Sequence, residues 1–487
     1  MTFKAGLLDE PPLEFGGNGR EIDIRLGLMR HGPLEPERAS RVRLGIIGTN
    51  QTIEGFARWL ERCKAGIDAK KSLQPNLFVP FPGLGNDNPF RCKFEIDAHA
   101  RRPLPQSDIN RIAAINSTPK AVTEAANLFA AQAQAIAEAP APPDVIICAL
   151  PYELIARVVH ETVVPDHDQT DEETADAEDE TARYDFRDLL KALTIHLKHP
   201  IQVVWPTTWD DAGKIVRKLE KLSGRRVQDP ATRAWNLFNA LYYKAGYVPW
   251  RLPRDLSQFD VSYVGISFYR DLSGQRLLTS TAQMFDERGK GLILRGGRAH
   301  TDRAGRQPYL SREDAYDLLH RCLQAYGAHH FHAPARVVIY KSSRFAPEEV
   351  NGFEEALSEE HVRLSDFVWI AERMPFRLLR DGSYPPLSGT FLELERGAVL
   401  YSRGSVPYYR TYPGLYVPRP ITLRPYRRES TLEQLSRETL ALTKMNWNST
   451  QFDGSSPITL RASRVVGRVL RHVSAGTTEA GEFRFYT

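Results

Sequence analysis

Three short, continuously apolar runs set between helical patterns constrain this chain more than any other feature. Arg43 to Gly48 (RLGIIG), Asp144 to Leu150 (DVIICAL) and Ile201 to Trp205 (IQVVW) are short enough for strands, and none shows the polar alternation of a half-exposed one. A helix over Ile53 to Cys63 follows the first run. An Ala-rich helix over Ala121 to Glu138, broken by Ala139 to Pro143, precedes the second. Strand, turn and helix in alternation predict a doubly wound α/β unit. No GxGxxG follows the first strand, so the unit carries no dinucleotide-binding fingerprint.

From about Asp260 the pattern becomes strand-rich. Val261 to Phe268, Leu277 to Phe285, Ala335 to Tyr340, Phe367 to Glu372, Thr390 to Glu395 and Ala398 to Ser402 read as strands, and Pro347 to Leu357 as a helix. Thr431 to Thr443 and Ile458 to Val473 close the chain as helices. Strands first and helices afterwards predict a second α/β layer of ribonuclease-H-like type. We place the first domain at 1–250 and the second at 251–487.

The 487 residues allow two or three domains. Cys63, Cys92, Cys148 and Cys322 form no CxxC pair and read as reduced, buried thiols. No secretory h-region or apolar span of membrane length occurs, so a cytoplasmic location is expected. The net charge of +4 hides an asymmetry, because Asp166 to Glu180 holds nine carboxylates in fifteen residues. Residues 161–183 are the expected flexible acidic loop, and the remainder is correspondingly more basic.

The residues that suggest chemistry begin at Tyr184. Phe186, Leu189, Leu190, Leu193 and Leu197 make the apolar side of a helix, with Arg187 and Lys191 four apart on its other side. Gln202 stands near the start of the next strand, and Lys244 falls in the last turn of a helix over Thr232 to Ala245, before Gly246. Three cations and an amide suit a terminal phosphate, which needs several donors and nearly complete charge neutralisation. Tyr401 to Arg428 interleaves Tyr401, Tyr408, Tyr409, Tyr412, Tyr416 and Tyr426 with six arginines, Arg410 among them. Such a segment could clamp phosphates and stack on bases.

The pocket segment resembles the guide-binding MID domain of Argonaute proteins, and the second half resembles their PIWI domain. The second likeness is carried by Thr443 to Thr450 (TKMNWNST) followed by Asp453-Gly454 and Pro457 to Arg461. Asp9 to Phe15 (DEPPLEF) and Leu44 to Thr49 (LGIIGT) resemble the start of short prokaryotic Argonautes, which consist of MID and PIWI without N or PAZ domains. The resemblance implies a Rossmann-like MID domain followed by a ribonuclease-H-like PIWI domain. It assigns Arg187, Lys191, Gln202 and Lys244 to the guide 5′ phosphate. A further pocket lysine of some relatives is Ala240 here, which suggests Mg²⁺ held by Gln202 or the carboxylate of Thr487; no organic cofactor is expected.

Guided cleavage in such proteins needs carboxylates that hold two divalent metals. Ser267, Ser342, Ala462 and Ser463 stand where the resemblance expects acidic or histidine ligands, and Lys341 is expected to add positive charge there. Arg344, Arg461 and Arg410 are candidates for guide or target backbone contacts. The resemblance implies a non-slicing sensor with an RNA guide, a single-stranded DNA target and an APAZ-containing effector partner of TIR, Sir2 or nuclease type, acting in prokaryotic defence. Two alternatives stay open: a nuclease centre displaced to Asp260, Asp271 and Asp286, and a scaffold without guide binding.

Overall fold

A computed structural model describes residues 4–158, 185–210, 213–223, 227–253, 260–285, 291–302, 307–372, 374, 376–412, 417–452, 454–473 and 481–487. The acidic loop at 161–183, together with Tyr184, Asp286, Tyr416 and Asp453, lies outside the described residues. In chain order the first half contains β1 (Lys4–Leu7), β2 (Leu13–Glu14), β3 (Arg20–Glu21), α1 (Ile24–His31), β4 (Arg41–Gly48), α2 (Asn50–Lys64), β5 (Lys93–Pro103), α3 (Gln106–Ala113), α4 (Thr118–Ala137), β6 (Val145–Ala149), α5 (Tyr152–Val158), α6 (Phe186–Thr194), β7 (Ile201–Val204), α7 (Lys214–Ser223) and α8 (Pro230–Lys244). The second half contains β8 (Val261–Arg270), β9 (Leu277–Phe285), β10 (Gly291–Leu294), β11 (Ala299–Thr301), β12 (Pro308–Leu310), α9 (Arg312–His330), β13 (Arg336–Lys341), α10 (Pro347–Glu359), β14 (Leu364–Ala371), β15 (Thr390–Leu394), β16 (Gly397–Leu400), β17 (Ile421–Arg427), α11 (Leu432–Leu442) and α12 (Ile458–Leu470).

The three apolar runs become β4, β6 and β7 of a four-stranded, all-parallel sheet in the order β5-β4-β6-β7. Alternating side chains feed two cores. Ile46 and Ile147 face the layer of α2 and α8, whereas Ile47, Ile146 and Cys148 face α3 to α6. All four cysteines are buried free thiols.

The second sheet has nine strands in the order β1-β15-β16-β17-β14-β13-β8-β9-β10. Within it β10, β9 and β8 run antiparallel, and β13 and β14 follow parallel to β8, which is the ribonuclease-H-like arrangement. The sequence reading missed α9, whose apolar positions Leu318, Leu319, Cys322 and Leu323 are buried against this sheet. It also gave Lys4–Leu7 to the first domain by position alone, whereas β1 pairs with β15 of the second sheet.

On β8, Val264, Ile266 and Phe268 face α9 and α10, while Tyr263, Gly265 and Ser267 face α12. A methyl group on Gly265 would come within 2.4 Å of the Thr459 backbone. Gly265→Ala should therefore push α12 away and destabilise the fold by about 1–3 kcal/mol, read as a lower urea midpoint at unchanged slope.

The Asn-Trp-Asn motif is the seam between the two halves. Trp447 donates through Nε1 to the Trp250 carbonyl at 3.0 Å and stacks on Tyr243 with centroids 5.4 Å apart. Asn239 of α8 donates to the Trp447 carbonyl at 2.7 Å, and Thr450 donates through N and Oγ1 to Asn236 at 2.9 Å each. These contacts fix α8, and with it Lys244, against the second half.

Candidate nucleic-acid interface

Asp185 caps α6 by accepting from the Asp188 amide at 2.8 Å. Phe186 and Leu190 anchor the helix on α4, Phe186 meeting Phe129 edge-on at 5.8 Å. The cationic edge of α6 is not a solvated surface. Lys191 is 2% exposed, and α12 packs beside α6. Among the described residues its ammonium has no hydrogen-bond partner. Lys244 is equally buried and donates to the Thr487 carbonyl at 2.5 Å and to Thr487 Oγ1 at 2.8 Å. Gly246, at φ +95°, ends α8 in the left-handed conformation that favours glycine.

Burial, then Lys244 and then Arg187, hold the Lys191 ammonium well below the ordinary lysine range. Burial and then Arg187 do the same to Lys244. The three cations that the sequence singled out therefore share one site and oppose each other's charge. Gln202 lies on the edge strand β7 and donates its amide to the Val203 carbonyl at 2.9 Å. Of the oxygens named for a Mg²⁺ ion, those of Thr487 accept from Lys244.

Other groups reach the same site without having been read from the sequence. Arg187 donates to Asp188 at 3.3 Å, and Arg468 of α12 lies 3.4 Å from the other oxygen of that carboxylate. Arg484 reaches the Lys244 carbonyl at 3.4 Å. Burial takes His472, near Asp188, down to about 4, so it is neutral at physiological pH. A signal for Arg468 was present, since Arg461, Arg464 and Arg468 recur at three and four on one face of α12.

Ser267 and Ser342 sit side by side. The Ser342 amide donates to the Ile266 carbonyl at 3.1 Å, and Ser267 is 2% exposed. Ala462 and Ser463 are buried on α12, and the Ser463 hydroxyl donates to the Leu460 carbonyl at 2.9 Å. Among the described residues no three His, Cys, Asp or Glu side chains come together as a metal-binding group. Asp271 holds a turn through Ser273 and the Arg276 amide, and Asp260 pairs with His332 at 3.6 Å.

Lys341 departs from its expected position. Strand alternation puts it on the α10 face with Phe268, opposite Ser267, where it is fully buried and paired with Glu349. It also donates to the Arg344 carbonyl at 2.8 Å.

The Tyr/Arg segment is only partly a surface. Tyr401 is buried and accepts from the Leu378 amide at 2.7 Å, and Tyr409 is buried and donates to Asp23 at 2.6 Å. Tyr408 and Tyr426 remain exposed, as does Arg410 at φ +54°. Arg427 pairs with Glu354 at 2.8 Å. Arg344 and Arg424 both lie over Trp369, at 5.2 and 4.8 Å, on the α10 face of the sheet, while Arg461 is half-buried on α12.

No protein-family model matches this sequence, and no curated protein matches it. Solved structures do. Clostridium butyricum Argonaute bound to a guide DNA and a 19-mer target DNA superposes with a TM-score of 0.61 at 14% identity, over 98% of this chain and 54% of that one. A. aeolicus Argonaute gives 0.58 at 14% identity over 100% and 56%, and Marinitoga piezophila Argonaute in complex with a 5′-OH guide RNA gives 0.56 at 11% over 99% and 59%. The fold is thus that of an Argonaute, a Rossmann-like MID layer followed by a ribonuclease-H-like PIWI layer. The chain spans little more than half the length of these structures. No helix among the described residues is long and apolar enough to cross a membrane.

Proposed function

We propose that this protein holds the 5′-phosphorylated end of an RNA guide in the Arg187, Lys191 and Lys244 pocket and presents the guide to a single-stranded DNA target. The observation that carries this reading is Lys191, a buried ammonium with no hydrogen-bond partner among the described residues and two further cations beside it. Burying an unpaired charge is costly, and a terminal phosphate would offset that cost by accepting from all three groups. Arg468 of α12 adds a further cation at this site, sharing the Asp188 carboxylate with Arg187. The bound nucleic acids of the Clostridium and Marinitoga Argonautes support guide binding as the class of activity.

We read the PIWI layer as non-slicing. Serine hydroxyls at 267 and 342 and the side chains at 462 and 463 offer no carboxylate for a pair of divalent metals. Target recognition then has to be passed to a partner, and the resemblance to short prokaryotic Argonautes points to an APAZ-containing effector of TIR, Sir2 or nuclease type in a defence system. The purified chain, loaded with 5′-phosphorylated RNA and given labelled complementary DNA with Mg²⁺ or Mn²⁺, should leave the target intact after hours. Metal-dependent cutting abolished by EDTA would overturn the non-slicing reading.

A further inference from the structure

A cleft of about 630 Å³ opens at the carboxyl ends of β4, β6 and β7, and none of its lining residues belongs to the cation pocket. Its place follows from topology. The chain leaves β4 through α2 toward β5 on one side, and leaves β6 through α5 and α6 toward β7 on the other. Open parallel sheets bind ligands in the crevice left between such diverging connections. The volume falls within the roughly 300–1,000 Å³ of small-molecule sites.

The lining has a definite chemistry. Arg58 and Arg62 stand one turn apart on α2, and Lys218 comes from α7. Arg58 is exposed and makes no hydrogen bond or ion pair among the described residues. Tyr152 and Trp209 offer half-exposed aromatic faces, with Lys218 5.3 Å above the Tyr152 ring. Arg62 donates to the Trp209 carbonyl at 2.8 Å, and the indole packs against Gly55, where a methyl group would come within 2.5 Å of Trp209 Nε1. Glu153 and Asp210 also line the cleft, Asp210 accepting from the Gly213 amide at 2.9 Å. Cations therefore outnumber carboxylates three to two.

From this lining we infer that the cleft binds a nucleoside 5′-phosphate, with its base on Tyr152 or Trp209 and its phosphate held by Arg58 and Lys218. Aromatic faces accept any base, and guanidinium and ammonium groups match phosphate. A purely apolar ligand would leave the cations without a role, and a bare anion would leave the aromatic faces without one. The inference stands independently of guide binding.

The test is equilibrium dialysis of labelled AMP against the full chain, with adenosine and inorganic phosphate as competitors. Arg58→Glu with Lys218→Glu changes surface groups and should weaken AMP binding by about tenfold or more. In the Lys191→Ala with Lys244→Ala background, which removes the guide pocket as a second site for a 5′ phosphate, AMP binding should persist and still be weakened by the Arg58 and Lys218 substitutions. AMP should outcompete both adenosine and phosphate. Failure of wild type to bind millimolar AMP would overturn the inference. So would binding lost in the Lys191/Lys244 variant and kept in the Arg58/Lys218 variant, since the nucleotide would then occupy only the guide pocket. Repeating the titration on guide-saturated protein distinguishes the sources: AMP still bound means a free nucleotide, and AMP displaced means a nucleotide of the strand itself.

Discussion

Lys191→Met should stabilise the guide-free protein and at the same time weaken its hold on a 5′-phosphorylated RNA guide. The two effects share one cause. In the absence of a phosphate the ammonium is buried beside Lys244 and Arg187 with no acceptor among the described residues, so replacing it by a side chain of similar length should raise stability by about 1–3 kcal/mol. With the guide bound, the same substitution deletes a charge-assisted hydrogen bond, and affinity should fall roughly 10- to 150-fold. A 5′-hydroxyl guide should lose little. A purely structural lysine would lower stability and leave the phosphate preference unchanged.

The pH dependence has a definite sign. The folded-state pKa of Lys191 is lowered, so between that value and the unfolded value near ~10.4 the unfolded chain binds more protons. Stability of the guide-free protein should therefore rise with pH across that window. A bound phosphate favours the charged lysine and reverses the shift, so guide binding within the window should take up protons. Calorimetry in two buffers of different ionisation enthalpy reads that uptake, and Lys191→Met should reduce it.

Glu349→Ala should be the most damaging single change outside the pocket. It would strand Lys341, which is fully buried, at a cost of about 3–5 kcal/mol. Burial outweighs the pairing on both partners, taking Lys341 down to about 8 and Glu349 up from the usual carboxylate range. The double variant Lys341→Met with Glu349→Leu should therefore recover much of the loss, although the amides of Leu310 and Ala346, which now donate to Glu349, must turn to water. Denaturant midpoints of the two single variants and the double form the cycle that checks this. Functionally, the pair anchors the end of β13 and so positions Ser342 beside Ser267 on the opposite face.

How far the sequence could be read depended on the range of the interaction. The buried strands β4, β6, β7, β8 and β13 were legible because an uninterrupted apolar run leaves little choice, and the end of α8 because Gly246 punctuates it locally. Arg187, Lys191 and Lys244 could be nominated by residue type and order. The burial of the two lysines could not, because it comes from segments distant in sequence, such as Thr487 against Lys244. Arg468 was missed for the same reason, and Lys341 was assigned to the wrong side because residue type alone does not give strand parity. Tyr401 and Tyr409 looked like stacking surfaces until Leu378 and Asp23 were seen to take their hydroxyls.

The most direct test of the central claim is the affinity of the wild-type chain for one RNA sequence carrying either a 5′ phosphate or a 5′ hydroxyl, measured at fixed salt. Three cations around a buried pocket predict a preference for the phosphate of about a hundredfold or more. Equal affinity for the two ends would contradict the assignment of Arg187, Lys191 and Lys244 to the guide.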